Sequence, residues 1–239
     1  INYFSPSAYG DMTDMTINIV PNIFQKNGFI VEKIGNGFLV RNYLSEEKQI
    51  EYYQHIIQVS KNSEEHKQII DQPTNRAFPI CMWNNVYTGT SNCARPEKML
   101  ELGNKIIMEF PDFTELKCIN SVYAQLFGAD ATMSAHCDEH VDWGISINLG
   151  ASVLFTFGTN KDRFNGVPNY VVLNSGDIFL GDFSSNLHSI DAVLNNTPNW
   201  FISDYVFNRT RCSIQLRDLT NVTNKKISDI QFKNMLKSY

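Results

Sequence analysis

Apolar residues recur at every other position through the second half of the chain. Within GISINLGASVLFTFG, residues 144–158, Ile145, Ile147, Leu149, Ala151, Val153, Phe155 and Phe157 all fall on odd numbers, with mostly small or polar residues between them. A period of two places one such set on one face of an extended strand. NYVVLNSGDIFLGDF adds two apolar runs about the turn Ser175-Gly176-Asp177, and RCSIQLRD, starting at Arg211, alternates again. Short strands punctuated by Gly, Asn and Asp, without strand-helix-strand alternation, predict a β-sandwich or jelly roll and not a parallel sheet.

The first half reads differently. Phe38, Leu39 and Val40 predict a short strand. Ser45 then stands at an N-cap position, and Glu46 and Glu47 follow in the first turn, where negative charge suits the helix dipole. Ile50, Tyr53 and Ile57 recur at helical spacing, with His55 and His66 as lone histidines to which no chemistry is assigned. Residues 1–37 hold turn chemistry without a sustained period (SPSAYGDMTDMT, VPNIFQKNG) and predict an extension wrapped around the domain. The domain itself is expected over 38–218, with its strand core from about 118, and residues 219–239 as a basic C-terminal helix or tail.

A length of 239 residues with 43% hydrophobic content suffices for one large core. No apolar run reaches the roughly 18–20 residues of a membrane span, so no membrane partner is expected. The five cysteines are widely spaced without a CxxC, which argues against a disulfide framework or structural zinc and reads as buried small hydrophobes in a reducing compartment, cytoplasmic or nuclear. The chain begins at Ile1, compatible with a targeting segment upstream. A net charge of −5 gives no overall attraction to nucleic acid, although seven basic residues against two acidic ones from Arg209 onward leave room for a local basic face.

Against this frame the candidate chemistry stands out in SAHCDEH. His136 and Asp138 are spaced i, i+2, which on a strand projects both side chains into one volume. His188, in GDFSSNLHSI, follows a later strand pair and can fold back beside them. Two imidazoles and a carboxylate make a facial triad that leaves positions open on a six-coordinate Fe(II). In RCSIQLR, Arg211, Ser213, Gln215 and Arg217 share one face of the predicted strand. A buried guanidinium calls for an anion, and its planar fork suits a carboxylate. A zinc hydrolase using His136, Asp138, His140 and His188 is the competing reading; the paired arginines speak against it.

Taken in order, Asn120 and Tyr123, the HCD of residues 136–138, SINLGASVLFTFG, SGDIFLGDFSSNLHSI and RCSIQLR resemble the AlkB family of Fe(II)/2-oxoglutarate dioxygenases. The resemblance covers roughly Phe38 to Asp218. It implies a mainly β fold, a double-stranded β-helix (jelly-roll) core with N-terminal helices packed outside. It implies His136, Asp138 and His188 as iron ligands. For 2-oxoglutarate it implies Arg211 on the distal carboxylate, Arg217 near the other, and Asn120, Tyr123 and Ser213 as further partners. O₂ is the remaining co-substrate.

The chain departs from the family in spacing Asn120 and Tyr123 one residue further apart. It also lengthens the segment from Tyr123 to His136, lacks an arginine just before His188, and places His140 where some members carry an acidic base-reading residue. The implied activity is oxidative demethylation of N-methylated bases in single-stranded or flipped-out DNA or RNA, with formaldehyde, succinate and CO₂ as products. The alternative substrate is a protein side chain or a small molecule. NRAFPICMWNNVYTGTSNCARPE supplies Arg76, Phe78, Trp83, Tyr87 and Arg95 as a candidate substrate lid, with His140 as a further substrate-side residue.

Overall fold

The computed structural model describes residues 22–60, 74–86, 91–138, 141–158, 170–202 and 209–220. Its strands are β1 (Asn22–Lys26), β2 (Phe29–Ile34), β3 (Gly37–Val40), β4 (Ala77–Asn84), β5 (Ser121–Phe127), β6 (Met133–His136), β7 (Trp143–Gly150), β8 (Val153–Gly158), β9 (Tyr170–Leu173), β10 (Ile178–Asp182), β11 (Leu187–Val193) and β12 (Arg211–Arg217). Helices α1 (Glu46–Ser60) and α2 (Glu97–Glu109) precede β5, and a single turn, α3 (Asn199–Ile202), precedes β12. The strands form an eight-stranded sheet in the order β1-β2-β3-β10-β7-β12-β5-β4 and a four-stranded sheet in the order β6-β11-β8-β9. Antiparallel pairing and the jelly-roll architecture are those expected from the alternation.

Three layers result. On one face of the large sheet, Ile145, Ile147 and Ile214 pack with Tyr53, Ile56 and Ile57 of α1 and Met99 and Ile106 of α2. On the other face, Leu39, Phe127 and Phe179 meet Val153, Phe155, Phe157 and Ile190 of the small sheet. Each such side chain, taken fully out of water, contributes about 1.5–3 kcal/mol.

The unbroken odd-numbered run through β7 and β8 therefore serves two cores. β7 turns its odd residues to the helices and β8 turns its own to the space between the sheets. The switch falls at Gly150, whose φ of +90° and closeness to Thr210 O and Phe201 leave no room for a Cβ. Even-numbered Ser146 and Asn148 of β7 consequently face the second sheet.

Ser45 caps α1, its Oγ accepting from the Lys48 N–H at 3.4 Å. Residues 22–37 depart from the expected extension: β1 and β2 form a hairpin that continues the large sheet onto β3. Its turn is Asn27-Gly28, with φ of 52° and 83°, the positive angles that a tight two-residue hairpin requires. The hairpin lies at the sheet's outer edge, where Ile23 and Ile30 remain exposed, so its sequence lacks a clean apolar face. Tyr87, His66, His140 and the predicted C-terminal helix lie outside the described residues.

Candidate metal and co-substrate site

β6 and β11 pair so that His136 and His188 stand directly opposite each other, with ring centroids 4.3 Å apart. Asp138 lies just past the end of β6 and not on the strand. Its backbone N–H donates to Phe183 O at 2.9 Å, which turns the carboxylate back toward the histidines. Asp138 Oδ1 is 3.7 Å from His136 Nε2 and 3.5 Å from His188 Nε2. The three donor atoms all fall within 4.8 Å of one another.

The surroundings orient each donor. His136 Nδ1 lies 2.7 Å from Ser134 O and His188 Nδ1 lies 3.0 Å from Asn186 O. A carbonyl only accepts, so both Nδ1 atoms carry a proton, and it is the Nε2 atoms that face Asp138. Burial, with neighbouring His188, holds His136 below the ordinary imidazole pKa, favouring the neutral form that binds metal. Phe183 stands edge-on to the His188 ring at 4.9 Å. Arg217 Nη2 donates to Asp138 Oδ2 at 3.2 Å, and its guanidinium lies 4.2 Å over Phe183. One carboxylate oxygen is thus held by arginine while the other is presented to the histidines.

A Cβ at Gly144, opposite Arg217 in the β7–β12 register, would overlap that guanidinium. A glycine inside a strand signals a close approach without naming its partner.

Behind the triad, between the sheets, lies a cavity enclosing about 90 Å³. Arg211, Ser213, Gln215 and Arg217 all line it, as their alternation predicted, and Tyr123 and Gln125 reach it from β5. Arg211 is fully buried, and burial pushes its pKa down to about 9, so it stays charged at neutral pH. Its Nε donates to Asn148 Oδ1 at 2.5 Å, and Phe127 lies under the guanidinium at 4.3 Å. Asn148 Nδ2 donates to Ala151 O and Leu173 O, which fixes its oxygen toward Arg211. Arg211 Nη1 has no hydrogen-bond partner among the described residues. Asn148 and Gln125 were absent from the sequence-based site. Buried polar residues at even positions of β7 were the available sign for Asn148.

Other expected residues fall differently. Tyr123 Oη accepts from Gln125 Nε2 at 3.0 Å and Ser213 Oγ accepts from Gln215 Nε2 at 3.0 Å, both at the cavity wall. Asn120 is not among the lining residues. Its amide donates to Asp218 Oδ1 and Thr220 Oγ1 and its oxygen accepts from the Leu219 N–H, so it clamps the chain leaving β12.

The lid expectation is corrected for the residues that are described. Residues 77–84 form strand β4, not a loop, because Ala77–Asn84 pairs along β5. Trp83 is buried in the helix-side core and Phe78 packs against it. Arg95 lies over Trp83 at 5.4 Å, and Arg76 is exposed.

Comparison with solved structures places this architecture. OsALKBH1 superposes with a TM-score of 0.61 at 13% identity, covering 79% of this chain and 99% of that one. An oxidoreductase of the 2OG-Fe(II) oxygenase family from Burkholderia pseudomallei superposes with a TM-score of 0.53 at 12% identity, covering 78% and 85%. The chain therefore has the fold of the 2-oxoglutarate-Fe(II) oxygenases. In sequence it is 30% identical over 262 residues to a protein of Acanthamoeba polyphaga mimivirus called probable lanosterol 14-alpha demethylase. That alignment takes in all of this chain but only 36% of the viral protein's length. No protein-family model matches the chain.

The residues fit the two groups this fold implies. His136, Asp138 and His188 offer the donor set of Fe(II) with open positions. Arg211 offers a buried cation, lacking a partner at Nη1, to a carboxylate. Among the described residues no helix is long and apolar enough to cross a membrane.

Proposed function

We propose that the chain is an Fe(II)/2-oxoglutarate-dependent dioxygenase. The observation that carries this is Arg211, a buried guanidinium lining the same cavity as a His-Asp-His triad and lacking a partner at Nη1. Burying a charge without pairing costs several kcal/mol, a cost that a bound dicarboxylate would offset.

His136, Asp138 and His188 would hold the metal, with Arg211 on the distal carboxylate of 2-oxoglutarate. Fe(II) with 2-oxoglutarate and O₂ supplies an oxidation that yields succinate and CO₂ and breaks a substrate C–H bond. Arg217 engages Asp138 Oδ2, which would leave Oδ1 for the metal, and Asn148 aims Arg211. Phe127 covers one face of the Arg211 guanidinium and Phe183 one face of the Arg217 guanidinium.

For the substrate, the AlkB-like order of motifs supports an N-methylated base in single-stranded or flipped-out DNA or RNA. Oxidation at the methyl carbon would release it as formaldehyde. A second reading, a protein side chain or small molecule, is favoured by two observations: Trp83 and Phe78 are engaged in core packing and not free to stack a base, and the chain carries a charge of −5.

Succinate and formaldehyde release, measured with methylated single-stranded oligonucleotides across a salt series, tests both readings. Stimulated turnover whose oligonucleotide affinity falls as salt rises supports the nucleic-acid substrate. Succinate formation indifferent to oligonucleotide supports the second reading. No succinate under any condition overturns the dioxygenase.

A further inference from the structure

Cys81 lies on β4, the edge strand of the large sheet, and Cys93 on the segment that returns from it toward α2. The Asn92 N–H donates to Met82 O at 3.0 Å, and Asn92 Oδ1 accepts from the Met82 N–H at 2.8 Å. Residues 82 and 92 are thereby joined side by side along the outer edge of β4.

The next residues along, 81 and 93, then face each other. A disulfide needs Cα atoms about 4.4–6.8 Å apart with the two side chains turned toward each other, and the contact between the two sulfurs shows both side chains so turned. The two sulfurs lie 2.6 Å apart, closer than unbonded sulfur atoms rest.

We propose that Cys81 and Cys93 are a reversible redox pair that closes an intrachain disulfide along the edge of β4. Contact with Cys93 and burial hold Cys81 well above the ordinary thiol pKa. Cys93 is only half-buried, so it meets an oxidant first. With a low-molecular-weight disulfide as oxidant, the Cys93 thiolate displaces one thiolate and forms a mixed disulfide. The Cys81 sulfur, losing its proton, then attacks the Cys93 sulfur and releases the second. Two protein thiols are oxidised and one small disulfide is reduced to two thiols.

The pair revises the reading of all five cysteines as inert hydrophobes. That reading stays with Cys212, which is fully buried and pushed up to about 12.

The test compares the full chain equilibrated with oxidised glutathione against the same chain in excess dithiothreitol. Oxidation is expected to remove about 2 Da per chain, to yield a linked Cys81–Cys93 peptide on proteolysis, and to raise Tm by roughly 5 °C through loop closure. Cys93→Ser, at a half-buried position, is expected to abolish all three effects while keeping the reduced chain's Tm. Cys212→Ser is expected to retain them. An oxidised chain whose five thiols all remain alkylatable, a link joining another pair, or a Tm rise that persists in Cys93→Ser would overturn the proposal.

Discussion

β12 and β4 flank the same strand, β5, and both carry residues of interest to function, yet of the two only β12 lines the cavity. β12 sends Arg211, Ser213, Gln215 and Arg217 into the cavity between the sheets, while Cys212, Ile214 and Leu216 join the helix-side core. β4 sends Ile80, Cys81 and Trp83 to that same helix-side core, and none of its residues lines the cavity. Strict alternation with a polar set on one side therefore marked a strand facing a site. Aromatic and basic residues without a period of two marked a strand whose large side chains meet helices. Residue type alone did not separate site from scaffold; residue type with periodicity did.

The contrast can be broken most decisively at the metal corner. His188→Ala is expected to remove Fe(II) or Mn(II) binding at micromolar concentrations, read by calorimetric titration, while the fold is retained by circular dichroism. Retained binding would mean that the β6–β11 pairing does not build the metal corner.

Next in size, Trp83→Ala should cost about 3–5 kcal/mol of stability with no change in 2-oxoglutarate affinity, measured by denaturant unfolding and co-substrate titration. A loss of substrate affinity with unchanged stability would restore the lid reading.

Arg211→Ala should behave in the opposite way. Losing a charge-assisted carboxylate contact is expected to weaken 2-oxoglutarate binding roughly 100-fold, about 2.7 kcal/mol. Stability should hold or rise, because a buried charge lacking a full set of partners is removed.

Gly144→Ala should push Arg217 off Asp138 and weaken metal binding about 10-fold, an effect of the size expected when a ligand loses its supporting contact. Metal titration against Arg217→Ala, expected to match it, checks the cause.

The smallest effect lies at Asn120. Its removal should cost about 1 kcal/mol of stability and leave co-substrate affinity unchanged. Asp218 shows how pH enters there: burial works against its charge, but hydrogen bonds from Thr220 and Asn120 outweigh it and hold the pKa below the usual carboxylate value. Its stabilisation is therefore present above the unfolded-state pKa and lost as pH falls through the folded one. In Asn120→Ala that acid loss should begin at higher pH, as followed by Tm between about pH 2 and 5.

The sequence made the strand core and α1 legible because both rest on local periodicity and capping. The triad was legible because His136, Asp138 and His188 are few residues of distinctive type. What escaped it depends on register. Gly144 matters only because Arg217 lies across from it on β12, and Asn148 only because its amide is held by Leu173 O of β9 and by Ala151 O in the turn after β7. Asn120 matched a co-substrate position by motif but is engaged by the segment that leaves β12, a contact across about a hundred residues. The β1–β2 hairpin was missed although Asn27-Gly28 carried its turn signal, because an exposed edge imposes no apolar alternation.

The most direct measurement is the metal-to-ligand charge-transfer band formed anaerobically by Fe(II) and graded 2-oxoglutarate, recorded for the native chain and for Arg211→Ala. A band in both, with the midpoint of the variant displaced to about 100-fold higher 2-oxoglutarate, is the predicted result. No band in the folded native chain, or the same midpoint in both, would contradict the assignment of triad and arginine to one Fe(II)/2-oxoglutarate site.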